Sequence, residues 1–121
     1  MSREIKFRAW SEYSNKLVVW EHMKPEDTLG SVLNGDDKKI HVMQYTGLKD
    51  KNGREIYEGD IVRKTHNGKE NFMGQVIYSE GTYFLELPPE EYVFLFDEYR
   101  IYENEVIGNI YEHPHLLEVP Q

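Results

Sequence analysis

Glu58-Gly59-Asp60-Ile61-Val62, Asn67-Gly68, Gly74-Gln75-Val76-Ile77-Tyr78 and Gly81-Thr82-Tyr83-Phe84-Leu85-Glu86 follow one another in quick succession, and their order decides the fold. A Gly-Asp bend leads into a strand. A tight Asn-Gly turn, which supplies the positive φ values of a two-residue hairpin loop, returns it as a Gly-x-Val strand. A short glycine turn returns that strand as an aromatic one. Glycine at each corner lets the sheet curl strongly enough to approach closure.

Working outward, the dominant period is two. Glu4-Ile5-Lys6-Phe7-Arg8-Ala9-Trp10 alternates polar with apolar residues, and Lys16-Leu17-Val18-Val19-Trp20 reads as its return strand, an N-terminal hairpin. Residues 24–37 hold Pro25, Gly30, Asn34 and Gly35 and read as a long loop with a short helical turn near residues 25–29. Lys39-Ile40-His41-Val42-Met43-Gln44-Tyr45 is the next strand, and residues 49–54 form a polar turn around Asn52-Gly53. Pro88-Pro89 interrupts the pattern. Residues 92–96 are strand-like in composition, yet follow a Pro-Glu-Glu start that could open a helical turn. Glu105 to Tyr111 is a late strand in which Gly108 marks a bulge or a close backbone approach, and residues 113–117 read as a short terminal helix or turn. The expected architecture is all-β: a small SH3-like barrel or strongly bent antiparallel sheet with an N-terminal hairpin and short helical turns. An isolated hairpin is too small to stand alone, so residues 1–121 are expected to form a single domain.

The 121 residues are 39% hydrophobic and 13% aromatic, which supports a packed core. The absence of cysteine excludes disulfides, thiolate zinc sites, iron–sulfur ligation and a thiol nucleophile. The formal charge of −8 has the wrong sign for a protein that wraps nucleic acid through its phosphates. That charge is uneven. Residues 1–69 carry 13 Lys and Arg against 11 Asp and Glu, a balance of +2, and residues 70–121 carry Arg100 against 11 acids, a balance of −10. No basic start followed by an apolar stretch marks a signal peptide, and the longest apolar run, residues 92–96, is too short to span a membrane. The cytoplasm is the expected compartment.

Three stretches carry a family resemblance. Arg3-Glu4-Ile5-Lys6-Phe7-Arg8-Ala9-Trp10 resembles the opening of YopX-like proteins of phages and prophages. The stretch from Gln44-Tyr45-Thr46-Gly47 through Glu58-Gly59-Asp60-Ile61-Val62 resembles their centre. Glu105-Val106-Ile107-Gly108-Asn109-Ile110-Tyr111-Glu112, followed by Pro114 and Leu116-Leu117, resembles their ending. The resemblance implies a β-rich fold with a partly SH3-like barrel and a phage or prophage setting. It implies no catalytic residue and no cofactor.

Candidate chemistry is sparse. His113 and His115, with Glu112 or Glu118, have metal-ligand character, but Pro114 between them and the nearby chain end argue against a site. His22, His41 and His66 are scattered, and His41 reads as an exposed strand residue. Asp50, Glu55, Glu58 and Asp60 could hold a cation or act as acid and base, yet Asp50 and Asp60 sit where turns use Asp to accept backbone N–H groups. No nucleophile elbow, P-loop or dinucleotide fingerprint occurs. No enzyme activity, metal or cofactor is expected.

The best binding candidates are Tyr45, Lys49, Lys51, Arg54 and Tyr57. Aromatics beside bases can stack on nucleobases, or form a protein hot spot, or simply close the core around a hairpin. Tyr92, Phe94, Phe96, Tyr99 and Tyr102 recur mostly at spacing two; they either seal the core or offer a self-association surface and a homo-oligomer. The expected function is a non-enzymatic protein–protein interaction module, an accessory protein of a phage or prophage. Its partner would be a host or phage protein with a basic surface, met through residues 45–62 and the acidic C-terminal segment. The rival is a nucleic-acid-binding small barrel using residues 45–64, which requires Lys49, Lys51, Arg54, Arg63 and Lys64 to share one face.

Overall fold

The computed structural model describes residues 5–19, 38–96 and 101–117. The loop and helical turn expected within 24–37, His22 and Tyr99 lie outside the described residues. The elements are β1 (Phe7–Ser11), β2 (Lys16–Val18), β3 (Ile40–Lys49), β4 (Glu55–Tyr57), β5 (Asp60–His66), β6 (Lys69–Ser79), β7 (Thr82–Leu87), β8 (Glu91–Phe94) and β9 (Glu103–Asn109), followed by a 3₁₀ turn at Pro114–Leu117. The fold class is all-β. The chain divides into two compact units, Met1–Tyr45 and Thr46–Gln121.

In the first unit β1 pairs antiparallel with β2, Trp10 opposite Leu17, and on its other side with the first part of β3, Phe7 opposite Gln44 and Ser11 opposite Ile40. Asn15 takes a positive φ of 54° and donates its N–H to the Ser11 carbonyl at 2.8 Å, which closes the hairpin the alternation called for. Lys6 Nζ stands 5.1 Å from the centre of the Tyr45 ring.

The second unit is built on a five-stranded antiparallel sheet in the order β8-β7-β6-β5-β9. Strands β5 to β8 run as a meander, and β9 returns to the far side of β5. Two tight turns set this up. Asn67-Gly68 joins β5 to β6 and Glu80-Gly81 joins β6 to β7, with all four residues at φ between 50° and 87°. This is the mirror-image turn whose twist matches that of the flanking strands.

Register shifts between Ile61 and Val62 on the β9 side, and between Lys64 and Thr65 on the β6 side, bend β5. Opposite the first shift, Ile61 faces Gly108 and Val62 faces Val106, so Ile107 is the extra residue. A Cβ on Gly108 would lie 2.7 Å from His113 Nδ1. Gly108 therefore sits beside the bulge, as expected, but what approaches it closely is the His113 side chain and not another stretch of backbone. Gly74 is constrained in a different way, because a Cβ there would fall 2.6 Å from the Glu86 carbonyl oxygen.

One face of this bent sheet, with β4, makes the core: Ile56, Val62, Val76, Tyr83, Leu85, Leu95 and Val106. The ambiguous stretch 92–96 is strand through Phe94, not a helical turn. Phe84 lies opposite Phe94 and Glu86 opposite Tyr92, and the Leu95 N–H donates to the Tyr83 carbonyl at 3.1 Å. Alternation then sends Val93 and Leu95 inward. Tyr92, Phe94 and Phe96 point outward, 57%, 63% and 59% exposed, while Leu95 is 0% exposed. These three rings do not seal the core.

Candidate functional site

The central turn is organised by Asp50. Its Oδ1 accepts the N–H groups of Asn52 and Arg54, both at 2.9 Å, and its Oδ2 accepts the Val106 N–H at 2.9 Å. The first two bonds shape the turn, and the third ties it to β9, 56 residues along the chain. Lys51 N–H donates to the Asn104 carbonyl at 2.9 Å and adds a second tie. Thr46 Oγ1 donates to the Ile56 carbonyl at 2.7 Å, holding the start of this segment against β4. Asp60 does similar work at the next bend, where its buried Oδ2 accepts the Tyr57 N–H at 2.8 Å beside Gly59 at φ 83°. Both aspartates thus serve backbone geometry, the role their local sequence suggested.

This architecture separates the five candidate binding residues. Lys49, Lys51 and Arg54 are exposed, whereas Tyr45 and Tyr57 are buried. The exposed aromatic ring near Lys49 and Lys51 is instead Phe96, which lines the same cleft. Of the wider basic set, Lys64 is buried, donates from Nζ to the Leu95 carbonyl at 2.8 Å and sits 5.9 Å from the Tyr102 ring centre. Arg63, on the opposite side of β5, donates to Glu105 Oε1 at 2.5 Å, and Lys51 Nζ lies 3.9 Å from Oε2 of the same carboxylate. Lys51 and Arg63 thus meet at one carboxylate, while burial withdraws Lys64 from the shared face that the nucleic-acid rival requires.

The hydrogen bond from Arg63, with the charge of Lys51 adding to it, holds the Glu105 carboxyl below its ordinary range. A carboxyl with a lowered folded-state pKa stabilises the fold above its unfolded-state value, and the contribution is lost as pH falls through the folded-state value. Wild type is therefore expected to exceed Glu105→Gln in stability at neutral pH. The gap should shrink as pH falls below about 4, the ordinary carboxylate range. Urea denaturation of both proteins across that range checks it; a gap that widens on acidification would contradict it.

The histidines are engaged elsewhere. His113 Nδ1 accepts the Asn109 N–H at 3.2 Å, Asn109 Nδ2 donates to Glu112 Oε1 at 2.9 Å, and the His113 and His115 ring centres are 6.2 Å apart. His41 Nε2 contacts Glu12 Oε2 at 2.6 Å. Among the described residues no three His, Asp or Glu side chains gather as a metal site would require. An open cleft of about 470 Å³ lies between residues 48–51 on one side and Phe96 with residues 102–104 on the other. Its wall includes Asn104, whose buried Oδ1 has no hydrogen-bond partner.

The second candidate surface is the outer side of β7 and β8. Phe84 and Phe94 stack with ring centres 5.0 Å apart at 27°. Ile77 lies opposite Phe84 on β6, and Tyr92 lies opposite Glu86. Strand β8 is the edge of its sheet, so among the described residues it has a strand neighbour on one side only. Between Glu70 and Tyr99 the sequence contains no Lys or Arg. The signal for this surface was present in the sequence. Five consecutive apolar residues in a strand cannot all face one core, so either both sides are covered or alternate side chains meet solvent.

A family model described as "YopX protein" matches residues 6–118 of the chain. Among solved structures, protein EF1440 from Enterococcus faecalis is 30% identical with a TM-score of 0.65, covering 97% of this chain and 100% of that one. Protein yopX from Bacillus subtilis is 20% identical with a TM-score of 0.63, over 93% of this chain and 98% of that one, a likeness of fold. No curated protein matches the chain.

Proposed function

Because the chain belongs to the YopX protein family, we propose that it is a non-enzymatic protein–protein interaction module, an accessory protein of a phage or prophage acting in the host cytoplasm. The observation that supports this is the exposed aromatic edge, with Tyr92 and Phe94 more than half exposed on the outermost strand of the sheet. Large rings left in water and grouped together favour burial against a partner, and Tyr and Phe are favoured in interface cores. The acidic run around them, Glu86, Glu90 and Glu91, favours a partner with a basic surface. Among the described residues no helix is long and apolar enough to cross a membrane.

The test uses wild type and a Tyr92→Ala/Phe94→Ala double variant as bait in host lysate, with quantitative mass spectrometry as the readout and thermal melting as the control for folding. The expected result is a defined set of proteins held by wild type and depleted at least tenfold by the variant. Retention of nothing above background, or equal retention by both baits, overturns the reading.

A further inference from the structure

We infer that β8 binds its partner by strand addition, and that the segment it takes up is extended and carries on one face, two residues apart, an apolar residue and a Lys or Arg. This inference rests on the interaction-module reading and specifies its mode. Strand β8 is hydrogen-bonded to β7 and has no strand on its other side among the described residues. Edge strands are usually blunted by charge, proline or a bulge. Here Pro88, Pro89, Glu90 and Glu91 precede the pairing residues, but Tyr92-Val93-Phe94 itself carries none of these devices. Among the described residues no strand takes up the outer row of backbone donors and acceptors of β8, which runs beside an aromatic surface, the pairing that strand addition uses.

The outer face specifies the side chains of the incoming segment. An added strand lies roughly 4.8 Å from β8, and alternate residues of it fall on the outer face. Beside Phe94, an apolar side chain extends the existing stack of Phe84 on Phe94. Two residues away, beside Tyr92, a Lys or Arg can lie over the ring. Glu86 is opposite Tyr92 on β7, so from the added strand its carboxylate is two strand spacings away, roughly 10 Å, within reach of a long cationic side chain. Glu90 and Glu91 at the entry to β8 add attraction of the same sign.

A second copy of this chain would bring the same acidic strand and no base between Glu70 and Tyr99. Charge complementarity therefore selects a basic partner over self-pairing.

The experiment uses the full chain and three fluorescein-labelled ten-residue peptides, read by anisotropy and by amide shift mapping. One, the Arg-Val peptide, repeats Thr-Val-Thr-Arg, so that Val and Arg take turns on one face, and one has Glu in place of each Arg. The third is the Arg-Val peptide N-methylated at four consecutive central residues, which removes those donors from both edges. The Arg-Val peptide is expected to bind at least tenfold more tightly than either other peptide, with shifts centred on residues 91–94. Phe94→Ala and Glu86→Lys should each weaken it several-fold while the protein still melts cooperatively, Phe94→Ala only a few degrees lower than wild type. Equal binding of the N-methylated peptide, or shifts centred on the cleft at residues 48–51, overturns strand addition. So does a dimer in light scattering that Phe94→Ala dissolves, since the occupant is then another copy. If no peptide binds while lysate capture still depends on Tyr92 and Phe94, strand addition falls and the interaction module stands. If the Arg-Val peptide binds as expected while lysate capture fails, strand addition stands and the cellular reading falls.

Discussion

Asp50→Ala is expected to lower stability by about 3 kcal/mol, since it strips three backbone N–H groups of a charged acceptor at once. The donors are Asn52, Arg54 and Val106. The first two lie in a part-buried turn, where water can replace some of what is lost. The Val106 N–H is buried, so loss of the carboxylate leaves it shielded from water without its acceptor. Asp50→Asn keeps one carbonyl acceptor and is expected to cost less, about 1–2 kcal/mol. The shift in urea midpoint at unchanged slope measures both. A loss below about 0.5 kcal/mol for the alanine variant, the size of an ordinary surface change, would show that the turn does not depend on this carboxylate.

The second large effect sets neighbours against each other. Leu95→Ala is expected to cost about 3 kcal/mol, because Leu95 is 0% exposed within the core cluster and its removal leaves a cavity. Phe94→Ala removes a larger side chain, yet it is expected to cost only about 1 kcal/mol, because that ring is 63% exposed and loses chiefly its stack on Phe84. The size order of the side chains and the order of the effects are reversed. Equal costs from thermal or urea melts would mean that the outer face of β8 is covered as well as the inner one.

The same pair of residues shows what could be read from the sequence. Turn positions were legible because Asn67-Gly68, Gly81 and Gly59 answer a local requirement for positive φ. Gly108 was legible for a related reason, as a residue whose missing side chain makes room. The parity of residues 92–96 was not, because alternation assigns side chains to two faces without saying which face is inward when both sets are apolar. Tyr45 and Tyr57 posed the same problem, since an aromatic residue beside a basic turn suits a surface or a core equally.

Lys64 could have been placed. It stands two residues after Val62 and so shares the inward face, where it becomes a buried donor to Leu95. The bond from the Val106 N–H to Asp50 has no local signature at all. It depends on where the last strand lies, and the order β8-β7-β6-β5-β9 is a tertiary fact.

That strand order also fixes a sequence of events on the ribosome. Strands β5 to β8 leave the exit tunnel before β9, and each can zip against the one before it. Val62 has no Val106 across from it, Asp50 has no third donor and Arg63 has no Glu105 until residues 103–109 have been synthesised. Closing contacts across 56 residues is entropically slower than zipping a two-residue turn. A nascent chain that has extruded β8 but not yet β9 therefore carries finished hairpins around an open apolar face, the kind of surface that chaperones hold. Completion of the core waits on translation of β9.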